Sequence, residues 1–152
     1  MIIFGAPREN EDHRFNAIAC AVVILRLLER LNKRRVQEGR DIVQVRIGIN
    51  TGVMMAGIVG SGERMEYTVV GDPVNLASRI IELAEPGSIV VGEAVLQQTN
   101  LKERINSQSL CDVKVKGKSN SVSTYLITGI SPKYQSMMDG MIEDILSGGE
   151  NR

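Results

Sequence analysis

Apolar and polar positions follow two rhythms along this chain, and the changes of rhythm mark its elements. From Asp12 onward Phe15, Ile18, Val22, Leu25 and Leu28 recur at spacings of three and four, while charge collects at Glu29, Arg30, Lys33, Arg34 and Arg35. That spacing predicts an amphipathic helix, which Gly39 ends. Val43, Val45, Ile47 and Ile49 then alternate with Gln44, Arg46, Gly48 and Asn50, so a strand with one buried face is expected over residues 43–50. Residues 53–59 and 65–70 bracket Gly60, Ser61 and Gly62 and predict a hairpin; the glycines there serve turn geometry, since they lack the order of a phosphate loop. At Gly71, Asp72 and Pro73 a helix should start, with Asp72 capping free amides and Pro73 at the first helical position. Pro86 and Gly87 stop it. Further along, residues 88–91 read as a strand, 93–98 as a short helix, and 111–115 and 122–127 as strands joined by a turn. The apolar run at residues 1–4, closed by Gly5, Ala6 and Pro7, predicts one more buried strand, which begins with nothing in front of it.

The sum is a mixed α/β domain, and its length of 152 residues suits one hydrophobic core. After Pro132 the residues Tyr134, Met137, Met138, Met141, Ile142 and Ile145 form an amphipathic stripe that Gly148 and Gly149 terminate. The chain therefore divides into residues 1–129, the domain proper, and a C-terminal helix or tail at 130–152, which either docks on the core or binds a partner.

Composition removes several function classes. With 43% hydrophobic and 24% charged residues the chain is neither disordered nor collagen-like. Lys plus Arg and Asp plus Glu both number 18, so no global positive field exists to hold nucleic acid or an anionic membrane. No apolar run is long enough for a membrane span. Cys20 and Cys111 lie far apart, form no CxxC pair and read as unpaired thiols acting as small buried hydrophobes in a cytoplasmic protein. His13 is the single histidine, which excludes a multi-histidine metal site.

Chemistry concentrates in EYTVVGDPVNLASRI. Asn75 and Arg79 are four apart, so both project from one helix face near the end of the strand that carries Thr68. An amide can orient a hydroxyl, and a guanidinium grips phosphate oxygens bidentately, so a nucleotide would fit there; a merely solvated helix face has the same spacing. In VKVKGKS the side chains of Lys114, Lys116 and Lys118 share one face of a strand and turn, a small cationic ridge that is either solvated or phosphate-binding.

The order FGAP, DHRFNAIACAV, VRIGINTGVMMAGIVGS, EYTVVGDPVNLASR, PGSIVVGEAV and VKVKGKSNSVSTYLI resembles the class III nucleotidyl cyclase catalytic domain in its bacterial adenylate cyclase form. The resemblance implies an α+β, ferredoxin-like domain and the closure of ATP to 3′,5′-cyclic AMP with release of pyrophosphate. By motif matching, Thr68 reads the adenine edge, Asn75 orients the ribose, Arg79 stabilises charge at the α-phosphorus and Lys116 holds the distal phosphates. The family works with two Mg2+ or Mn2+ ions at sites between two head-to-tail protomers, so a homodimer or a cyclase-domain partner is implied.

The family's two metal-binding aspartates precede FGAP, together with its first strand, its first helices and the start of its second hairpin. None of those positions lies in this chain, and Asp12 and Asp72 fall at other motif positions, so no metal ligand is assigned. The expectation is a partial, catalytically incomplete domain with a gap in its sheet, and Met1 reads as an internal methionine or the start of a truncated piece. The alternative is a non-catalytic cyclase-like module for dimerisation or nucleotide sensing that contributes Thr68, Asn75, Arg79 and Lys116 to a partner's site. A third reading, an α/β domain with no nucleotide role, makes the motif order coincidence.

Overall fold

The computed structural model describes residues 1–61, 64–114 and 121–148. A long helix α1 (His13–Gln37) is followed by the short strand β1 (Ile47–Ile49), then by the hairpin β2 (Met55–Ser61) and β3 (Arg64–Val70). Helix α2 (Asp72–Leu83), strand β4 (Ile89–Gly92) and the single turns α3 (Glu93–Leu96) and α4 (Leu101–Arg104) come next. Strands β5 (Ile105–Lys114) and β6 (Ser121–Ile130) and helix α5 (Pro132–Gly148) complete the described chain. The main sheet runs β1-β4-β6-β5, with β1 and β4 parallel and the other pairs antiparallel; among the described residues β2 and β3 pair only with each other. This is the mixed α/β architecture expected from the hydrophobic pattern.

The central strand β4 is apolar throughout because both of its faces are covered. Ile89 and Val91 point into the larger core with Phe15, Ile18 and Ala21 of α1, with Leu101, Ile105, Ile127 and Ile130, and with Met138 of α5. Val90 points the opposite way, into a smaller core with Ile80 and Ala84 at the α2 side and with Leu76 and Leu126. Helices α1 and α5 thus cover one face of the sheet, and α2 covers the other. The approach of α2 is close: a Cβ at Gly48 of β1 would lie 2.7 Å from the backbone nitrogen of Ile81, so only glycine fits under that helix.

Four local expectations need correction. Residues 1–4 form no strand; Met1 and Ile2 are largely exposed, and among the described residues no ladder pairs this run. Apolar character alone does not make a strand when its backbone groups have no neighbour to bond. The alternating segment 43–50 is a strand only at Ile47–Ile49, where β4 pairs it. Before that point the side-chain amide of Asn32 takes the place of a strand, donating to the Val43 carbonyl at 2.7 Å and accepting from the Val43 amide at 2.8 Å. Helix α2 starts one residue early, so Gly71 is its cap and Asp72 and Pro73 lie inside its first turn. Acidic Asp72 there still suits the positive end of the helix. Finally, Cys111 is exposed rather than buried, because it sits in an irregularity of β5. Both cysteines are free thiols, as expected.

Candidate functional site

The site is assembled on the α2 face of the sheet. Asn75 and Arg79 stand one helical turn apart on α2, Asn75 exposed and Arg79 half-buried. Thr68 is half-buried in β3 opposite Gly57, with Val69, Val70 and Gly71 between it and the helix. The guanidinium of Arg79 donates from Nη1 to the carbonyl oxygen of Lys114 at 2.9 Å. That contact joins two motifs 35 positions apart in sequence, the α2 arginine and the first lysine of VKVKGKS. Lys116 and Lys118 lie outside the described residues. Lys114 itself is exposed at the end of β5.

Two residues that sequence reading did not single out hold the site in place. Asn50, just past β1, donates from Nδ2 to the Pro73 carbonyl at 3.0 Å and so fixes the first turn of α2. Its Oδ1 lies where a Cβ on Gly92 would fall, 2.6 Å away, so the end of β4 must be glycine for Asn50 to occupy this position. The available signal was a polar residue closing the alternation of 43–49 directly before Thr51 and Gly52.

Carboxylates do not gather here. Among the described residues no group of three or more His, Cys, Asp or Glu side chains could hold a metal ion. Asp12 is engaged on the other side of the sheet: its Oδ1 accepts from Arg104 Nη1 at 2.7 Å and from Gln98 Nε2 at 2.8 Å. Hydrogen bonding to Arg104 is the main reason its carboxyl is held below the usual aspartate range. Among the described residues the side chains around Asn75 and Arg79 do not fit the two-cation site that the family resemblance implies; what they offer is an amide and an arginine.

The fold and this arrangement define the chain as a nucleotidyl cyclase catalytic domain in its architecture. It superposes on the crystal structure of the guanylyl cyclase Cya2 with a TM-score of 0.78 at 31% identity, covering 87% of this chain and 66% of that one. It superposes on the adenylyl cyclase CyaB from P. aeruginosa with a TM-score of 0.74 at 28% identity, covering 82% and 64%. Residues 1–129 match the family described as the adenylate and guanylate cyclase catalytic domain, and the chain belongs to that family. Adenylate cyclase 1 of Rhizobium meliloti is 32% identical over 130 residues, 84% of this chain and 19% of that protein. The chain therefore spans about a fifth of the length of that relative. No helix among the described residues is long and apolar enough to cross a membrane.

Proposed function

We propose that this chain is the ribose- and phosphate-binding part of a cytoplasmic adenylate cyclase domain, which converts ATP to 3′,5′-cyclic AMP and pyrophosphate as a dimer. The observation that carries the reading is the placement of Asn75 and Arg79 one turn apart on α2, with Arg79 bonded to the end of β5, next in sequence to the lysines of VKVKGKS. In the reaction the ribose 3′-hydroxyl attacks the α-phosphorus, its proton is lost and pyrophosphate leaves. Asn75 orients the ribose, and Arg79 stabilises the charge that grows on the α-phosphoryl oxygens. A guanidinium carries five N–H donors, so Arg79 can hold a backbone carbonyl and phosphate oxygens together. Thr68 offers a hydroxyl to the adenine edge, and Lys116 binds the distal phosphates.

When bound, Mg2+ or Mn2+ would neutralise the phosphates and activate the hydroxyl. Its carboxylate ligands come from outside this stretch, and the isolated chain is expected to be inactive. The alternative, a non-catalytic module complementing a partner, shares the same residues and differs only in where the carboxylates lie.

The test is cyclic AMP formation with Mn2+ and ATP, first by the chain alone and then mixed with a cyclase domain that has its metal ligands but lacks its own arginine. The chain alone should give no product. The mixture should be active, and Arg79→Ala should reduce that activity by about 100-fold or more, as losing a donor to transition-state charge does elsewhere. Undiminished activity with Arg79→Ala would refute the shared site.

A further inference from the structure

Among the described residues Thr124 is the one buried polar side chain, fully removed from solvent. It stands in β6 between Gly92 of β4 and a defect in β5. Ser109 pairs with Tyr125 and Asp112 pairs with Ser123, so Leu110 and Cys111 together face Thr124 alone. Two residues against one is a β-bulge, which leaves ladder groups without their regular partners. Here the Thr124 hydroxyl donates to the Cys111 carbonyl at 2.6 Å. The hydroxyl would be costly to bury unbonded, and the carbonyl of the bulge supplies its acceptor. The next pair is fastened as well, by Ser123 Oγ donating to Asp112 Oδ1 at 2.8 Å.

The bulge determines how the rest of β5 is presented. Side chains and carbonyls alternate along a strand with period two, so one extra residue reverses the direction of every group after it. Beyond the bulge come the pairs Asp112 with Ser123, Val113 with Val122 and Lys114 with Ser121. The last of these presents the carbonyl that accepts from Arg79. On the other side of Thr124, its β4 neighbour Gly92 makes room for Asn50, which holds the first turn of α2. The hydrogen bond at Pro73 therefore refers to the sheet row of Thr124, and the one at Arg79 to the row of Lys114 and Ser121 beyond the bulge.

We infer that Thr124 is a positioning residue for Arg79: its hydroxyl locks the β5 bulge and thereby sets the Lys114 carbonyl against the guanidinium. The functional meaning of this contact rests on the proposed phosphate-binding role of Arg79; the contact itself does not. Thr124→Val removes the hydroxyl at nearly constant shape, and Thr124→Ser restores it. The full chain is compared by NMR, through the resolved Nη signals of Arg79, by hydrogen exchange at residues 112–114 and 121–123, and by affinity for ATP and for adenosine.

In Thr124→Val the separate Nη signals of Arg79 should collapse, and exchange beyond the bulge should rise about 10-fold while residues 105–109 stay protected. ATP should bind about 10-fold more weakly, adenosine should be unaffected, and Thr124→Ser should behave as wild type. A uniform loss of protection over the whole chain, or an Arg79 signal that Thr124→Val leaves unmoved, overturns the inference. Should Thr124→Val fail to fold, Thr124→Ala carries the same comparison. If the wild type binds no ATP even with Mn2+ and the complementing cyclase domain present, while Arg79 still loses its order in Thr124→Val, the nucleotide reading falls and the positioning contact stands. If ATP binds normally and Arg79 stays ordered in Thr124→Val, the reverse holds.

Discussion

His13 is the residue through which pH acts on this fold near neutrality. It opens α1, and Gly5 lies against it, where a Cβ on the glycine would come within 3.2 Å of the Cβ and Cγ of His13. Desolvation lowers its pKa, and the charge of neighbouring Arg14 lowers it further. A folded-state pKa below the unfolded value means that the unfolded chain binds more protons in the interval between them, so stability rises with pH there. The contribution of His13 is complete above its unfolded pKa of about 6.5 and declines as pH falls below it. Melting temperatures measured from pH 5 to 7.5 should rise with pH and level off above about 6.5. His13→Gln should flatten that rise, and an unchanged slope in the variant would assign it to other groups. Asp12 acts at lower pH in the same sense: its pKa is lowered chiefly by the Arg104 hydrogen bond, so its stabilising share is present above the ordinary aspartate pKa and is lost as acid protonates it.

At the scale of elements, the attachment of α5 to α1 shows which interactions hold a helix in place. The two run parallel, since Phe15, Arg26 and Arg30 of α1 meet Tyr134, Asp139 and Glu143 of α5 in the same order. Arg104 lies 3.5 Å from the Phe15 ring centroid and 5.0 Å from that of Tyr134, which binds the start of both helices. The ion pair of Arg26 and Asp139 is short at 2.8 Å, but Asp139 is more than half exposed, and such pairs contribute about 0.2–1 kcal/mol. Met138 is 1% exposed within the main core. Met138→Ala should therefore cost about 2–5 kcal/mol in urea unfolding, several times the loss from Arg26→Ala; equal losses would mean that charge rather than packing secures the helix. Elements of this kind are legible in sequence because helical periodicity is local. The i,i+4 spacing of Asn75 and Arg79 was readable for the same reason. Strand length was not: residues 43–46 alternate as well as 47–49 but have no ladder, while the polar start of β5 pairs well with β6 and carries no alternation to announce it. Nor could local pattern foresee Asn50 against Pro73 or Arg79 against Lys114, because each depends on where the sheet brings distant segments.

For the whole molecule, the hairpin of β2 and β3 is the part least explained by the chain's own packing. Among the described residues it pairs only with itself, and two-stranded ribbons are marginal in water without something to cover them. Its root is fixed, with Val69 only 6% exposed, yet further out Ile58 and Tyr67 are directly opposite each other and exposed, and Met65 follows on the same face. An apolar face of this kind on a ribbon is expected to serve as a surface for another protein. With 18 basic and 18 acidic residues the chain has no net repulsion to keep copies apart, so a second copy or a related cyclase domain is the expected occupant. Sedimentation velocity should show the sedimentation coefficient rising with concentration. Ile58→Lys should reduce that association, and because Ile58 is 67% exposed it should leave the melting temperature of the monomer nearly unchanged. A large drop in melting temperature would place Ile58 in the chain's own core, and association that persists in the variant would move the interface elsewhere. Association lost at constant stability would identify the ribbon as the arm that joins two cyclase domains, with Thr68 in its second strand and Arg79 on the next helix.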